Sequence, residues 1–343
     1  MNRPLCFTLA FVQWFVLAAL ALILLGWLLG RFLTDQYAWS QWLWWIPTLG
    51  AIAAVLLLTA LIGLPFAWGR ADRGSRRRRA VVVSAVGLLA IAGYFFLVEH
   101  RYFSLSSARA GSTAEVAGPG VSFVHWNLGQ MPPPRQRAEH AQALFNLRAD
   151  VLVLTAPNGI LWHDSLRDYL REGEQMIQLG KFLIITRFAV GAPAFISQEG
   201  DQQITVLPID TREALGTGIV IWMADFPSQP RIPRMAFARE LRALIEKRPL
   251  PPPDVVVGDF NLTRGSASID VIFDGLDLHH AYDDAGRGYS ASFPRAPLPL
   301  WHIDHIFLGP ALRAVQYELV DPGIGRHMAQ RAMLRSSTSD QPR

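Results

Sequence analysis

The chain has 343 residues, of which 51% are hydrophobic and 17% are charged, and its formal net charge is +4. This composition is too apolar for an ordinary soluble domain. The single cysteine, Cys6, excludes a fold held together by internal disulfides, so a folded domain here depends on its hydrophobic core. The net charge does not indicate a polyanion-binding domain, because an arginine-rich segment inflates it.

Three long apolar runs lie within the first hundred residues, at about 5–30, 43–68 and 80–98. A helix that crosses a bilayer needs roughly 20 apolar residues, and each run has that length. A signal peptide is a poor alternative, because its apolar core has only about 7–15 residues. The sequence therefore predicts three transmembrane helices within a membrane domain that spans residues 1–102.

Arginine placement predicts the orientation of these helices. Arg70, Arg73 and the run 76–79 lie between the second and third apolar runs. The positive-inside rule places this segment, and with it the N-terminus, in the cytoplasm, so residues beyond about 100 lie outside. Tryptophans cluster where the outer interface would lie, at Trp39, Trp42, Trp44 and Trp45. The alternative for the arginine run is a patch that binds nucleic acid or lipid headgroups.

Residues 103–118 are rich in Ser, Ala and Gly and are predicted to form a tether, and 336–343 a disordered tail. Between them, 119–335 is long enough for one core. Helices are predicted at 135–148 and 233–247, and strands at 121–126, 151–154, 182–186, 204–209, 218–223, 255–257, 303–308 and 332–334. Strands and helices mix without strict alternation, which indicates an α+β fold or a layered α/β sandwich.

The segment Gly258-Asp259-Phe260-Asn261 directly follows the apolar run 255–257. An acid and an amide two residues apart at a strand end are expected to point into one cleft. Such a pair can orient a water molecule or a phosphate oxygen. Asp304 begins a later apolar strand, and His327 follows it. We therefore expect these side chains to share one pocket.

Several segments together resemble the endonuclease/exonuclease/phosphatase family, whose members have a DNase I-like fold. The segments that carry the resemblance are, in chain order, His125-Trp126-Asn127, Asp150 to Leu154, Leu183 to Phe188, Ala224 to Ser228, Gly258 to Asn261, Ser292-Phe293-Pro294 with Ile303-Asp304-His305, and Gly325-Arg326-His327. The resemblance implies a four-layer sandwich in which helices flank two mixed sheets. It also implies Mg²⁺ as the cofactor.

The resemblance implies a role for each matching polar residue. Asn127 would hold a phosphate oxygen, and Asp259 would orient or activate water. Asn261 would hold the scissile phosphate. Asp304 would orient His327, which the family uses as an acid or base opposite the scissile bond.

The sequence departs from the family pattern at three positions. Ala156 stands where the family has a metal-binding glutamate, Arg326 where it often has an aspartate, and Asp225 where it often has a histidine. Asp259 is then the metal-ligand candidate that remains. Our hypothesis is that the Arg326 guanidinium binds the substrate phosphate at the vacated cation position. The alternative is that Arg326 pairs with Asp225 or Asp259 and closes the site.

These observations predict a membrane-anchored phosphoester hydrolase that acts outside the cytoplasm with altered metal dependence. The alternative is a catalytically inactive family member that serves as a binding or scaffold module. A nucleic-acid substrate is not favoured, because Lys181 and Lys247 are the only lysines and the arginines are scattered. His279 and His280 are predicted to lie in a solvated turn, and His305 in the core.

Overall fold

In a computed structural model, the described residues are 3–63, 73–102, 119–129, 136–157, 166, 170–198 and 201–337. The chain divides into two compact units, residues 1–103 and 104–343. The predicted tether and most of the predicted tail lie outside the described residues.

The first unit is helical. Its elements are α1 (Arg3–Leu33), α2 (Ser40–Trp44), α3 (Thr48–Gly63) and α4 (Arg73–Gly93), which a π-helical segment (Tyr94–Glu99) continues. Trp27 of α1, Ala51 and Val55 of α3 and Ile91 of α4 form a small buried cluster between the helices. Other large apolar side chains of this unit are exposed, among them Trp14, Phe32, Val83 and Leu89.

The three predicted transmembrane helices are not supported, because a single candidate qualifies among the residues that the structure describes. Within the described residues, 82–99 is the one helical segment long and apolar enough to cross a membrane, and 21–33 and 48–61 are shorter apolar helices. The second predicted run is interrupted, because α2 ends at Trp44 and α3 begins only after Pro47, which has no N–H to donate to a continuing helix. The arginine-rich segment was predicted as a loop, but its backbone is helical from Arg73 onward.

The second unit contains two six-stranded sheets. The first sheet has the order β11-β12-β1-β2-β4-β3, where β1 is Val121–Asn127, β2 is Val151–Thr155, β3 is Gln175–Leu179, β4 is Phe182–Thr186, β11 is Leu312–Val320 and β12 is Ala329–Ser336. The second has the order β5-β6-β7-β8-β10-β9, where β5 is Ala194–Gln198, β6 is Asp201–Ile209, β7 is Ile219–Asp225, β8 is Val255–Asp259, β9 is His279–His280 and β10 is Asp304–Leu308. Both sheets are mixed, because β1 pairs parallel with β2 and β7 with β8, while the other pairs are antiparallel.

Alternating strand residues build the layers, because neighbouring side chains point to opposite faces. Val151 and Val153 of β2 face the core between the sheets, whereas Leu152 and Leu154 face the outer layer. The described helices of this unit are α5 (Arg137–Asn146), α6 (Arg212–Leu215), α7 (Arg234–Glu246), α8 (Ala267–Ile272) and α9 (Ala281–Ala285). Apolar residues of α5 cover the first sheet, and those of α7 and α8 cover the second. The expected helix-flanked sandwich of two mixed sheets is thereby confirmed.

This layering places three of the predicted polar residues at the same edge of the central core. Asn127 ends β1 with the same side-chain parity as the core residues Val121 and Phe123. Asp259 ends β8, and Asp304 begins the antiparallel neighbour β10 directly opposite it. All three therefore point between the two sheets rather than toward the outer helices.

Candidate active site

Asn127 links the two sheets through its side-chain amide. Its Nδ2 donates to Asp259 Oδ2 at 2.7 Å and lies 3.4 Å from His327 Nε2. Its Oδ1 accepts the backbone N–H of Gly129 at 2.7 Å, which fixes the orientation of the amide. An acid from one sheet and an imidazole from the loop before β12 are thus joined by one short polar side chain.

His327 and Asp304 form a second hydrogen-bonded pair. His327 Nδ1 donates to Asp304 Oδ2 at 2.9 Å, and the same oxygen accepts the hydroxyl of Ser292 at 2.6 Å. The pair leaves His327 Nε2 directed toward Asn127 and the cleft. The expectation that Asp259, Asp304 and His327 lie together agrees with this geometry, and Asn127 lies between Asp259 and His327.

The buried charges move the pKa values of these groups apart. Burial, reinforced by the nearby charges of Asp304 and Asp225, raises the pKa of Asp259 to about 8. Burial alone would raise the pKa of Asp304 as well, but the charge and hydrogen bond of His327 have the larger effect, so the pKa of Asp304 is lowered. Burial alone would lower the pKa of His327, yet the charge and hydrogen bond of Asp304, with Asp259, raise it. Separated pKa values in one pocket are typical of acid–base chemistry.

Comparisons with known proteins identify the family of this chain. The sequence profile of the Endonuclease/Exonuclease/phosphatase family matches residues 70–340. The chain belongs to this family. No match is found among curated protein sequences.

Solved structures share the fold of the second unit. A family protein from Bacteroides thetaiotaomicron is 14% identical, with a TM-score of 0.51 over 65% of this chain and 98% of its own. A family protein from Bacteroides vulgatus is 19% identical, with a TM-score of 0.49 over 64% of this chain and 99% of its own. A mannosyl-6-phosphatase from Bacteroides thetaiotaomicron is 15% identical, with a TM-score of 0.49 over 62% of this chain and 99% of its own. The likeness to the first of these structures, at 14% identity, shows the fold alone.

Asn261 reaches the site by a different route from the one predicted. The strand ends at Asp259, and Asn261 has a positive φ of 51°, so the two-residue alternation of a strand does not extend to it. Instead, Asp259 Oδ1 accepts the Asn261 backbone N–H at 3.0 Å in a tight turn. The Asn261 Nδ2 donates to the Phe226 carbonyl at 2.9 Å, so this donor holds the neighbouring strand end. A direct contact between Asn261 and phosphate stays a prediction.

The donor atoms do not fit a hexacoordinate Mg²⁺ ion well. Asp259, Asp304 and His327 offer ligand atoms within 4.8 Å of one another. One of the three is a nitrogen ligand, whereas Mg²⁺ prefers oxygen. Asp304 Oδ2 already accepts two hydrogen bonds, and each Asp259 oxygen accepts one. Asp304 Oδ1 is buried without a hydrogen-bond partner, so it is the carboxylate oxygen here with the most free acceptor capacity.

The residue that follows β2 is an alanine, which has no oxygen ligand in its side chain. Ala156, where the family resemblance implies a glutamate, has a positive φ of 53°, and its backbone N–H donates to the Lys181 carbonyl at 2.9 Å. Asp225, at the end of β7, pairs with the Lys181 ammonium at 3.2 Å. Within the described residues Arg326 forms no ion pair with Asp225 or Asp259, contrary to the alternative in which such a pair closes the site; its guanidinium lies over Phe293 instead.

Arg326 lies at the rim of the cleft. It is exposed, and its guanidinium stands over the Phe293 ring at 5.3 Å from the ring centre. The Phe293 ring in turn lies 4.7 Å from the His327 ring. Arg326 is thus next to the imidazole and accessible to solvent. Its contact with phosphate stays a prediction.

A cluster of three buried histidines lies behind β10, on its opposite face. His305 Nδ1 is 3.0 Å from His280 Nε2, and the His302 ring stacks on that of His305 at 5.1 Å. His280 is 3% exposed, so the predicted solvated turn is wrong at this residue. His305 lies in the core, as predicted.

The three-histidine cluster resembles a metal site, since it offers three imidazole nitrogens that lie within 4.8 Å of one another. Its hydrogen bonds argue otherwise. His280 Nδ1 accepts the Tyr282 backbone N–H at 3.0 Å, so its proton lies on Nε2 and points to His305 Nδ1. His305 Nε2 then donates to the Leu262 carbonyl at 2.8 Å. A metal-binding histidine keeps its inner nitrogen deprotonated and donates from the other one, which the Tyr282 amide prevents at His280.

Sequence reasoning missed three participants in these clusters, namely Ser292, Lys181 and His280. Ser292 contacts Asp304 from a loop twelve residues away, and Lys181 contacts Asp225 from a turn in the other sheet. Neither has a local motif. Ser292 did fall within a segment of the family resemblance, which could have identified it.

Proposed function

We propose that this protein is a membrane-anchored phosphoester hydrolase whose second unit acts outside the cytoplasm with altered metal dependence. The observation that carries the proposal is that the hydrogen-bonded pairs Asp259–Asn127 and Asp304–His327 lie side by side between the sheets, with Asn127 Nδ2 3.4 Å from His327 Nε2. Family membership and the phosphatase among the similar structures are consistent with it.

Asp259 and His327 provide the two proton transfers that hydrolysis requires. Deprotonated Asp259 accepts a proton from the attacking water as its oxygen bonds to phosphorus. Protonated His327, oriented and stabilised by Asp304, gives its Nε2 proton to the leaving oxygen as the bond from phosphorus to that oxygen breaks. Asn127 positions Asp259 with one Nδ2 hydrogen, and its other Nδ2 hydrogen turns from His327 Nε2 to a phosphoryl oxygen once His327 is protonated.

The direct test is hydrolysis of generic phosphomonoesters and phosphodiesters by the purified full-length protein, with Mg²⁺, with Mn²⁺ and with EDTA. We expect turnover that persists in EDTA and disappears in Asp259→Ala. Turnover that strictly requires a divalent ion would contradict the altered metal dependence. Absence of turnover under all conditions, with ligand binding retained, would favour the binding or scaffold module instead.

The membrane proposal rests on the exposed apolar surface of the first unit and on the helical segment 82–99. Its partner is the lipid bilayer. Because Cys6 is the single cysteine, Cys6→Ser gives a thiol-free background for topology mapping. In that background Leu298→Cys, at a side chain that is 49% exposed, should react with a membrane-impermeant maleimide in intact cells. Labelling only after lysis would place the second unit in the cytoplasm and would contradict the proposal.

A further inference from the structure

Lys181 brings a positive charge to the strand end where the family resemblance implies a metal-binding glutamate. It occupies the tight turn between β3 and β4, and its carbonyl accepts the Ala156 backbone N–H at 2.9 Å. Its ammonium reaches Asp225 Oδ2 at 3.2 Å. The lysine therefore extends from the first sheet to the end of β7 in the second.

The far end of this ion pair lies beside the acid of the proposed site. Asp225 and Asp259 are register partners at the ends of the parallel strands β7 and β8. The Phe226 N–H donates to the Asp259 carbonyl at 2.9 Å, which holds the two strand ends together. The Lys181 ammonium thus lies at the same edge of the two sheets as Asp259 and Asn127, on the side of Ala156.

We propose that the Lys181 ammonium binds the phosphoryl group of the substrate and supplies the positive charge that a divalent ion would otherwise supply. This inference rests on the proposed function. An ammonium is a compact charge with three N–H donors, which suits phosphate oxygens. The Lys181 side chain is 35% exposed, so a phosphate that enters from solvent reaches it.

A purely structural role explains the pair less well. Lys181 and Asp225 are 35% and 23% exposed, and ion pairs with that much solvent contact contribute little to stability. Replacing Lys181 is therefore not expected to unfold the protein. Asp225 holds the ammonium in position and is displaced in part when a phosphate binds.

The first experiment uses the fact that Lys181 and Lys247 are the only lysines. Reductive methylation of the full-length protein with ¹³C-formaldehyde labels these two amines and the N-terminus, and Lys181→Arg and Lys247→Arg assign the signals. In EDTA, inorganic phosphate should shift the Lys181 signal saturably and leave the exposed Lys247 unmoved. A Lys181 signal that responds only after Mg²⁺ is added would overturn the proposal, because the ion would then supply the charge.

Substitutions distinguish a role of Lys181 in phosphate binding from a purely structural role of its ion pair with Asp225. Lys181→Ala should weaken phosphate binding at least tenfold in EDTA, Lys181→Arg should retain part of it, and Lys247→Ala should leave it unchanged. Asp225→Asn keeps the ammonium and removes the competing acid, so phosphate should bind at least as tightly as in the wild type. If Asp225→Asn and Lys181→Ala weakened phosphate binding equally, the ion pair itself and not the ammonium would be required, which would contradict the proposal.

The two proposals fail in distinguishable ways. A protein that binds phosphate through Lys181 but hydrolyses no ester refutes the hydrolase and leaves the lysine site intact. A protein that hydrolyses esters equally well with Lys181 and with Ala at this position refutes the lysine site and leaves the hydrolase intact.

Discussion

Asp304 and His305 are neighbours on one strand, yet they belong to two buried clusters of opposite character. Asp304 faces the space between the sheets, where it meets His327 and Ser292. His305 faces the outer layer, where it meets His280 and Phe260. The first cluster holds opposed charges next to a cleft, and the second holds neutral rings in a chain of hydrogen bonds. Equal burial therefore does not imply equal chemistry, because the partners decide which protonation state is stabilised.

The largest expected effect is the loss of the cleft imidazole. His327→Ala removes the proposed proton donor, and general acid catalysis contributes about 10²–10⁴-fold, so turnover should fall by roughly 10³-fold. Ester hydrolysis at saturating substrate measures it, with thermal unfolding as the control for folding. A variant that is folded and keeps wild-type turnover would remove His327 from the mechanism.

Asp304→Asn should reduce turnover less and change its pH dependence. The Asp304 charge helps raise the pKa of His327, so its removal lowers that pKa. Activity that needs protonated His327 is present below this pKa and falls as pH rises through it. The fall should therefore move to lower pH, with about a 10- to 100-fold loss of turnover on the alkaline limb.

The pH–rate profiles of Asp304→Asn and the wild type provide this measurement. Coincident alkaline limbs would mean that a group other than His327 controls the profile.

His305→Gln should affect stability rather than chemistry. Burial lowers the pKa of His305 to about 4, so between about pH 6.5 and 4 the unfolded chain binds a proton there that the folded chain does not. Stability therefore falls as pH falls through this window, by up to about 1.4 kcal/mol per pH unit for this residue. In the variant, this pH dependence of the free energy of unfolding should disappear. At pH 7 the free energy of unfolding should be lower than that of the wild type by about 1–2 kcal/mol.

Urea unfolding of both proteins at pH 5, 6 and 7 tests the His305→Gln prediction, with turnover of the folded variant as the control. Parallel stability profiles, or a selective loss of turnover, would erase the contrast between the two clusters.

The smallest expected effect is at the rim. Arg326→Ala removes a cation that stacks on Phe293 and that acts to lower the pKa of His327. Substrate should bind about 3- to 10-fold more weakly, and the alkaline limb should move slightly to higher pH, opposite to Asp304→Asn. KM measures the change in substrate binding, and the pH–rate profile measures the shift of the alkaline limb. A shift in the same direction as Asp304→Asn would contradict the charge assignment.

Residue patterns predicted much of the second unit. The apolar runs that became β2, β4, β7 and β8 lie within one or two residues of their predicted bounds. Strands β3, β5, β9 and β11 were not predicted; β3 is half exposed and β9 has only two residues. In the first unit, length and hydropathy predicted helices, but the break at Pro47 divided the second predicted span.

The amino-acid sequence by itself determined the layered fold and the residues Asp259, Asp304, His327 and Asn127, because strand ends and family-like segments are local features. Only the tertiary structure decided what surrounds them. The chain places Lys181 next to Ala156 through pairing of β2 with β4, and next to Asp225 through the approach of two sheets. It gathers His280, His302 and His305 from separate segments. Distances between sheets, and the pKa values that follow from burial, arise from packing, and no spacing along the chain encodes them.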